Sequence, residues 1–269
     1  MLFLTTQPLW LSGLLPVGLP TLLAMVGPTL VRRRTSLDRL STNNEVAGFK
    51  FATIGVIYAV LLAFAVIVVW EKFSGAEAAV AQEGGAAATI YRLADGIGDT
   101  PGHELRDRLT DYIKVTVDED WSAMERGAAS LAATRALDRV YAALLTFSPG
   151  DARGAALLAE ILHQLDVVTQ ARRARLVLAS GIVPGILWMA LFVGAVLTIG
   201  FTLVFGTRNL RAQALMTGAL SFLVFSGLLV IVAIDRPSTG PVKVRPEAFV
   251  AVLEDFGAAS PHQTSDPVR

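Results

Sequence analysis

The sequence contains no cysteine and only three histidines in 269 residues. Without thiols the chain can form no disulfide, no thiolate metal site and no cysteine nucleophile. The histidines, at positions 103, 163 and 262, have no second histidine at the spacing of metal ligands, so we predict no metal site. Phosphate-binding loops, nucleophile elbows and zinc-protease motifs are also missing from the sequence. We therefore expect no cofactor and no enzymatic activity.

Charge is scarce as well. Charged residues make up 17% of the chain, whereas a soluble domain carries about 25%. The 23 basic and 23 acidic side chains cancel, so there is no electrostatic basis for binding nucleic acid. The shortage of charge is concentrated in four uncharged stretches, which is typical of membrane spans. The lipid bilayer is therefore the first partner that we expect.

The clearest of these stretches runs from Phe51 to Trp70. A helix of this length just covers the hydrocarbon of a bilayer. Three prolines, Pro16, Pro20 and Pro28, interrupt the first stretch, so we expect that helix to be kinked or broken. The sequence predicts four transmembrane helices, at about 9–30, 49–70, 183–206 and 212–234.

A polar segment separates the second and third spans. Between Ser74 and Arg175 there are 15 acidic and 11 basic residues, and no strand pattern. Periodicity and breakers predict helices over 77–93, 103–126, 128–147 and 152–178, with Asp151 as the cap of the last. We interpret the acidic run Asp118–Asp120 as a solvated helix face.

These features predict an all-α integral membrane protein with a helical-bundle module inserted between its second and third spans. Its parts are residues 1–73 (spans one and two), 74–178 (soluble module), 179–236 (spans three and four) and 237–269 (tail). The tail contains one short apolar segment, Ala248 to Phe256, that we expect to form a helix docking on the bundle. Residues 258–269 are predicted to be disordered.

The second span has a small side and a bulky side. Gly55, Ala59 and Ala63 recur every four residues and would let another helix approach closely. Gly194 and Gly218 belong to similar small stripes in the third and fourth spans. Bulky side chains lie on the other side, where they would contact lipid, contact helices or form a constriction that gates by dewetting; these are Ile57, Leu61, Phe64 and Val68. No Asp, Glu, His, Lys or Arg occurs between Phe51 and Trp70, at 183–206 or at 212–234, which argues against a proton relay.

The residues in this order resemble the bacterial bestrophin-like family over about positions 10–250. The resemblance is carried by the block EVAGFKFATIGVIYAVLLAFAVIVVWEKF and by Tyr91-Arg92, Tyr112, Asp120-Trp121, the Pro184–Trp188 segment and the run from Asp235 to Gly240. Asp120 departs mildly from the family, where glutamate is expected.

This resemblance implies a channel made of identical subunits, five in the bestrophins, that conducts small anions. The second helix of bestrophins lines the pore and forms a hydrophobic neck, so Ile57, Leu61, Phe64 and Val68 become candidate neck residues. Calcium-sensitive bestrophins have an acidic run that this chain lacks after Gly240, so no calcium site is carried over. The expected location is the inner membrane of a bacterium, with several passes.

Two functions remain open at this point: a homo-oligomeric ion channel, or a non-conducting sensor or scaffold whose helical module docks a partner protein. Orientation is also open, because five basic residues follow the first span. The positive-inside rule places that loop in the cytoplasm and the N-terminus outside, whereas bestrophins have the reverse arrangement. We give the short loop more weight and lean to the N-terminus outside.

Overall fold

The computed structural model describes residues 14–42, 44–179, 183–239 and 242–259, and in these residues every regular element is helical. In chain order the α-helices are α1 (Leu19–Arg34), α2 (Leu37–Ser41), α3 (Asn44–Leu93), α4 (Asp99–Val115), α5 (Trp121–Glu125), α6 (Leu131–Thr146), α7 (Ala152–Leu178), α8 (Gly185–Thr202), α9 (Leu210–Ile234) and α10 (Glu247–Ala259). Short π-helical turns precede α1 and α5, and a 3₁₀ turn follows α3.

The chain divides into two units. Met1–Phe73 and Gly181–Lys243 form the first unit, and Ser74–Ser180 and Val244–Arg269 form the second. Four of the described helical segments are long and apolar enough to cross a membrane: Leu15–Arg34, Asn44–Ile97, Gly185–Thr202 and Leu210–Ile234. The predicted fold class, an all-α membrane protein with four spans, is confirmed.

The first span is helical through its prolines. Pro16 lies in the π-helical turn Leu14–Gly18, and Pro20 lies in the first turn of α1, where a missing amide is tolerated. Pro28 is buried inside α1, which continues beyond it to Arg34. Of the two expected outcomes, a kink or a break, the break is therefore not found, and the helix ends four residues later than predicted. Residues 9–13 of the predicted span lie outside the described residues.

The second span belongs to a much longer helix than predicted. α3 has 50 residues and includes both the predicted span at 49–70 and the separate helix predicted at 77–93. No proline falls between Asn44 and Leu93, and the stretch after Trp70 is rich in alanine, the best helix former. With nothing to stop it, the helix continues, and even the pair Gly84-Gly85 does not interrupt it.

In the second unit, the first difference from the predicted helix boundaries is at the turn between α3 and α4. Pro101 lies between the helices predicted at 77–93 and 103–126, but in the structure it is in the first turn of α4, which begins at Asp99. The turn is made by Gly98, whose φ of 103° favours glycine. Gly102 is needed for contact, since a Cβ there would lie 2.3 Å from the carbonyl oxygen of Ala94. The helix predicted at 103–126 is accordingly divided into α4, a π-helical turn and α5.

Later elements lie close to their predicted positions. α6 occupies most of 128–147, and α7 spans 152–178 as predicted. The Asp151 side chain accepts a hydrogen bond from the amide of Gly154, as expected of its cap. α10 extends the predicted helix at 248–256 to Glu247–Ala259, so positions 258 and 259 are helical rather than disordered. The remainder of the predicted disordered tail lies outside the described residues.

Aromatic contacts fix the C-terminal segment inside the second unit. The ring of Phe256 stacks on that of Tyr91 with centroids 3.8 Å apart, and Phe249 meets Trp121 edge-on at 5.6 Å. The Trp121 indole donates to the carbonyl of Val244 at 3.4 Å. Because Phe249 and Phe256 are both buried, α10 completes the core of this unit rather than lying on its surface.

Candidate functional site

The segment of α3 in the first unit buries one of its sides against the third and fourth spans. Tyr58, Ala65 and Val69 are buried there in a cluster with residues of α8 and α9, including Leu191, Ala195, Leu228 and Ile231. These α3 residues are spaced by seven and four positions, which puts them on one side of a helix. The subunit therefore covers one stripe of a helix that is apolar all round.

Two glycines let the helices approach along this stripe. A Cβ at Gly194 would lie 2.5 Å from the ring of Tyr58, and one at Gly227 would lie 2.8 Å from the side chain of Leu62. At Gly194 the ring of Tyr58 would have to move to admit a side chain, whereas at Gly227 the flexible end of Leu62 would have to shift. Gly227 was not among the predicted packing residues, although it is a glycine within the apolar fourth span.

The other predicted packing residues have different environments. Gly218 faces Met25 of α1, whose Cγ would lie 2.6 Å from an added Cβ. Around Gly55 no atom lies within 4 Å of an added Cβ, and Ala59 and Ala63 are exposed. In the described subunit, Gly194 and Gly218 thus contact neighbouring helices, while the Gly55 stripe is left uncovered.

The four candidate neck residues are not equally uncovered. Ile57 and Phe64 are 65% and 63% exposed, and Val68 is 38% exposed. Leu61 is half-buried and packs against the core of the first unit. The side directly opposite Tyr58 carries other bulky residues, because each residue turns the helix by about 100°; these are Val56, Val60 and Ile67, all exposed.

Hydrogen bonds hold the ends of the spans together on one side of the first unit. Arg32 donates from Nη1 to the carbonyl of Thr207 at 2.7 Å. The side-chain amide of Asn44 donates to the carbonyl of Gly206 at 2.7 Å and accepts from its amide at 3.0 Å. These bonds tie the end of the first span and the start of α3 to the loop after the third span.

The second unit contains a buried ionic cluster that the sequence analysis missed. Arg175 donates from Nε to Glu83 at 2.8 Å and from Nη2 to Asp120 at 3.0 Å. Tyr112 donates its hydroxyl proton to Glu83, and Arg172 lies 3.4 Å from Asp120. Glu83, Tyr112 and Asp120 are fully buried. The interpretation of Asp118–Asp120 as a solvated face is therefore wrong for Asp120.

A signal for this cluster was present in the helical periodicity. On α7 the buried residues Ile161, Leu165 and Val168 are followed at the same three- and four-residue spacing by Arg172 and Arg175. Charged side chains that continue an apolar stripe must be buried, and buried charges need partners.

Proton affinities in the cluster follow from burial and charge. Burial raises the pKa of Tyr112 well above its usual value, and the neighbouring negative charge of Glu83 raises it further. For Arg175, burial alone lowers the pKa, but the charge of Glu83, its hydrogen bond and the charge of Asp120 outweigh burial and raise it. Tyr112 therefore stays protonated and Arg175 charged at physiological pH. The arrangement is electrically balanced, with two arginines facing two carboxylates.

Metal binding finds no support in the part of the chain that the structure describes, which has no group of three or more His, Cys, Asp or Glu side chains able to hold an ion. Together, the apolar spans of the first unit and the buried ionic cluster of the second describe an all-helical membrane protein.

Comparison with known proteins gives the family. The Bestrophin-like domain profile matches residues 18–249, and the chain belongs to this family. Among proteins with curated descriptions, none matches at a significant level.

Solved structures share the fold at low sequence identity. A variant of a bacterial bestrophin homologue from Klebsiella pneumoniae superposes with a TM-score of 0.67 at 15% identity, covering 89% of this chain and 97% of that one. A second variant of that homologue gives 0.69 at 15% identity, with 90% and 98% covered. A crystal structure described as a membrane protein gives 0.70 at 16% identity, with 91% and 100% covered.

Proposed function

We propose that this chain is the subunit of an ion channel that assembles from identical copies, with α3 lining the central axis. Family membership supports a channel-like membrane protein. The observation that carries the proposal is the uncovered apolar surface of α3. Between Phe51 and Trp70 the helix has no ionisable residue, and the subunit covers only one of its sides.

Uncovered apolar sides of a helix in a membrane face lipid, a second subunit or the axis of an assembly. In a ring of copies, the side of α3 that packs within its own subunit points away from the axis. The opposite side then faces the axis, and its exposed residues are Val56, Val60 and Ile67, with Phe64 at its edge. We therefore propose a hydrophobic neck formed by these residues.

This proposal changes part of the set predicted from the sequence. Phe64 keeps its role in both versions. Leu61 is the weakest of the earlier candidates, because its side chain is partly engaged with the core of its own subunit. Ile57 and Val68 lie between the two sides, where contact with a neighbouring copy is the role that we propose.

A neck of apolar side chains controls conduction by excluding water, and it contains no charge that selects the sign of the ion. Anion conduction, a pentameric assembly and location in the inner membrane of a bacterium are proposed from the family resemblance. We propose no catalytic activity, since the proposed neck residues Val56, Val60, Phe64 and Ile67 carry only hydrocarbon side chains.

The test is ion flux through the purified full-length protein in liposomes, followed with a halide-sensitive dye. We expect flux above that of empty liposomes, and a several-fold increase for Val60→Ala and Phe64→Ala, because smaller side chains widen and wet the neck. The matched control is Phe222→Ala, which removes a phenyl ring of similar exposure (54%) from α9. Its flux should equal that of the parent protein.

The assembly is measured on the same sample by light scattering in detergent. A monomeric protein whose liposomes stay tight to small ions would overturn the channel proposal and favour the sensor or scaffold function. Flux that responds equally to Phe64→Ala and Phe222→Ala would leave a channel but remove α3 from its axis.

A further inference from the structure

Among the described residues of the first unit, five buried hydroxyl groups have no hydrogen-bond partner; that of Thr239 follows α9, and four lie within the spans. These four belong to Thr21 of α1, Tyr58 of α3, Thr198 of α8 and Ser221 of α9. Thr198 and Ser221 are 2% and 0% exposed. Serine and threonine inside helices usually donate to a carbonyl one turn earlier, as Thr202 does to Ile199 at 2.6 Å. These four hydroxyls do not.

Helix register places two of the four opposite each other. α8 and α9 are joined by the short connection 203–209 and are consecutive spans, so they run antiparallel. The hydroxyls of Thr202 and Thr217 meet across them at 3.3 Å. Thr198 is four residues before Thr202, and Ser221 is four residues after Thr217. One turn further from the loop, the same two helix faces therefore present Thr198 and Ser221 to each other.

Close contacts bring the other two hydroxyls to the same depth. The Tyr58 ring packs on Gly194, one turn from Thr198 on α8. Side chains on helices lean toward the N-terminus of their own helix. Because α3 runs antiparallel to α8, this lean carries the Tyr58 hydroxyl toward the level of Thr198. Met25 packs on Gly218, so Thr21, one turn earlier on antiparallel α1, lies near the level of Ser221. We call these four groups the hydroxyl layer.

We propose that the hydroxyl layer binds internal water inside each subunit. A buried water molecule makes about three hydrogen bonds to groups that are otherwise unpaired, and hydroxyls can both donate to it and accept from it. A neutral ligand fits this layer better than an ion, because no Asp, Glu, His, Lys or Arg occurs at 51–70, 183–206 or 212–234 to balance a charge. The site is independent of conduction and goes beyond the proposed function.

The test compares Thr198→Val, Ser221→Ala and the double variant by thermal unfolding of the full-length protein in one detergent. If one water molecule joins the two hydroxyls, each single change lowers the midpoint of thermal unfolding. The double change then lowers it by less than the sum of the two single effects, because the first change has already broken the bridge that the second would break. Thr53→Val, at an exposed position of α3, corrects for the helix preference of valine.

Single changes that raise the midpoint or leave it unchanged would overturn the proposal, because removing a hydroxyl without a partner relieves an unfavourable burial. Strictly additive effects would also overturn a shared water. A structure at a resolution that shows ordered water provides a second readout. Density within hydrogen-bond distance of at least two of the four hydroxyls supports the site, and an empty layer rejects it.

Discussion

In the first unit the buried polar groups of the hydroxyl layer have no partner in the protein, whereas the second unit buries two arginines and two carboxylates that bind one another. On their surfaces the two units show the reverse distribution of apolar and charged groups. The spans expose large apolar side chains, and the second unit exposes most of its charges. In a bilayer the apolar surface is already stable, so helix association depends on close contact at glycines. The second unit can bury ions stably only if each one is paired.

Arg175→Met should have the largest effect, because it leaves Glu83 and Asp120 buried next to each other with only Arg172 to balance them. Breaking a buried ionic pair costs about 3–5 kcal/mol of unfolding free energy. Thermal unfolding in detergent at fixed protein concentration measures the loss. Arg173→Met on the same helix is the control, since Arg173 is exposed and should change stability by less than about 0.5 kcal/mol. Equal midpoints for the two variants would show that the cluster contributes little.

Gly194→Ala should have an intermediate effect and tests the glycine contacts of the first unit. Its new Cβ would lie 2.5 Å from the Tyr58 ring, and overpacking of this kind costs about 1–3 kcal/mol. The control is Gly200→Ala on the same helix, where an added Cβ meets nothing within 4 Å. That change should be neutral or stabilising by up to about 1 kcal/mol, since alanine favours helix. If both variants unfold alike, close approach at Gly194 does not stabilise the spans.

Tyr112→Phe should have the smallest effect at neutral pH, about 1 kcal/mol for one hydrogen bond, and its main signature is in the pH dependence. An unfolded tyrosine loses its proton near pH 10, whereas the folded pKa of Tyr112 is raised well above that. The stability that this implies is present below pH 10 and is lost as pH rises further. The parent protein should therefore lose more stability between pH 8 and 10.5 than Tyr112→Phe, and parallel losses would contradict the pKa shift.

Local signals in the sequence account for much of this fold. Uncharged runs of sufficient length predict the four spans, and the Asp151 cap and 3.6-residue stripe predict α7. The continuity of α3 was missed because a change from apolar to polar composition suggests a boundary, although it contains no helix breaker. The helix that begins at Asp99 was predicted to begin at 103, because a proline such as Pro101 can either end a helix or begin one.

The site is less accessible to sequence reasoning because it depends on which side of each helix is covered. Periodicity separates the Gly55 stripe from the Phe64 stripe, but it cannot say that a third stripe, which carries Tyr58 and Leu62, is the one that meets α8 and α9. That choice is made by Gly194 and Gly227, which contact Tyr58 and Leu62. The ionic cluster likewise joins Glu83, Asp120 and Arg175, which are separated by 37 and 55 positions, and only tertiary structure brings them together.

The second unit is built from two stretches of chain, and residues 181–243 of the first unit lie between them. Phe249 and Phe256 are therefore synthesised after the third and fourth spans, although they belong to the core of the second unit. Until then the rings of Tyr91 and Trp121 lack their partners, and the core around Arg175 remains open to water. The second unit can complete its core only when the last helix has been made, so a chain that ends before Phe249 leaves an unfinished core for proteases to recognise.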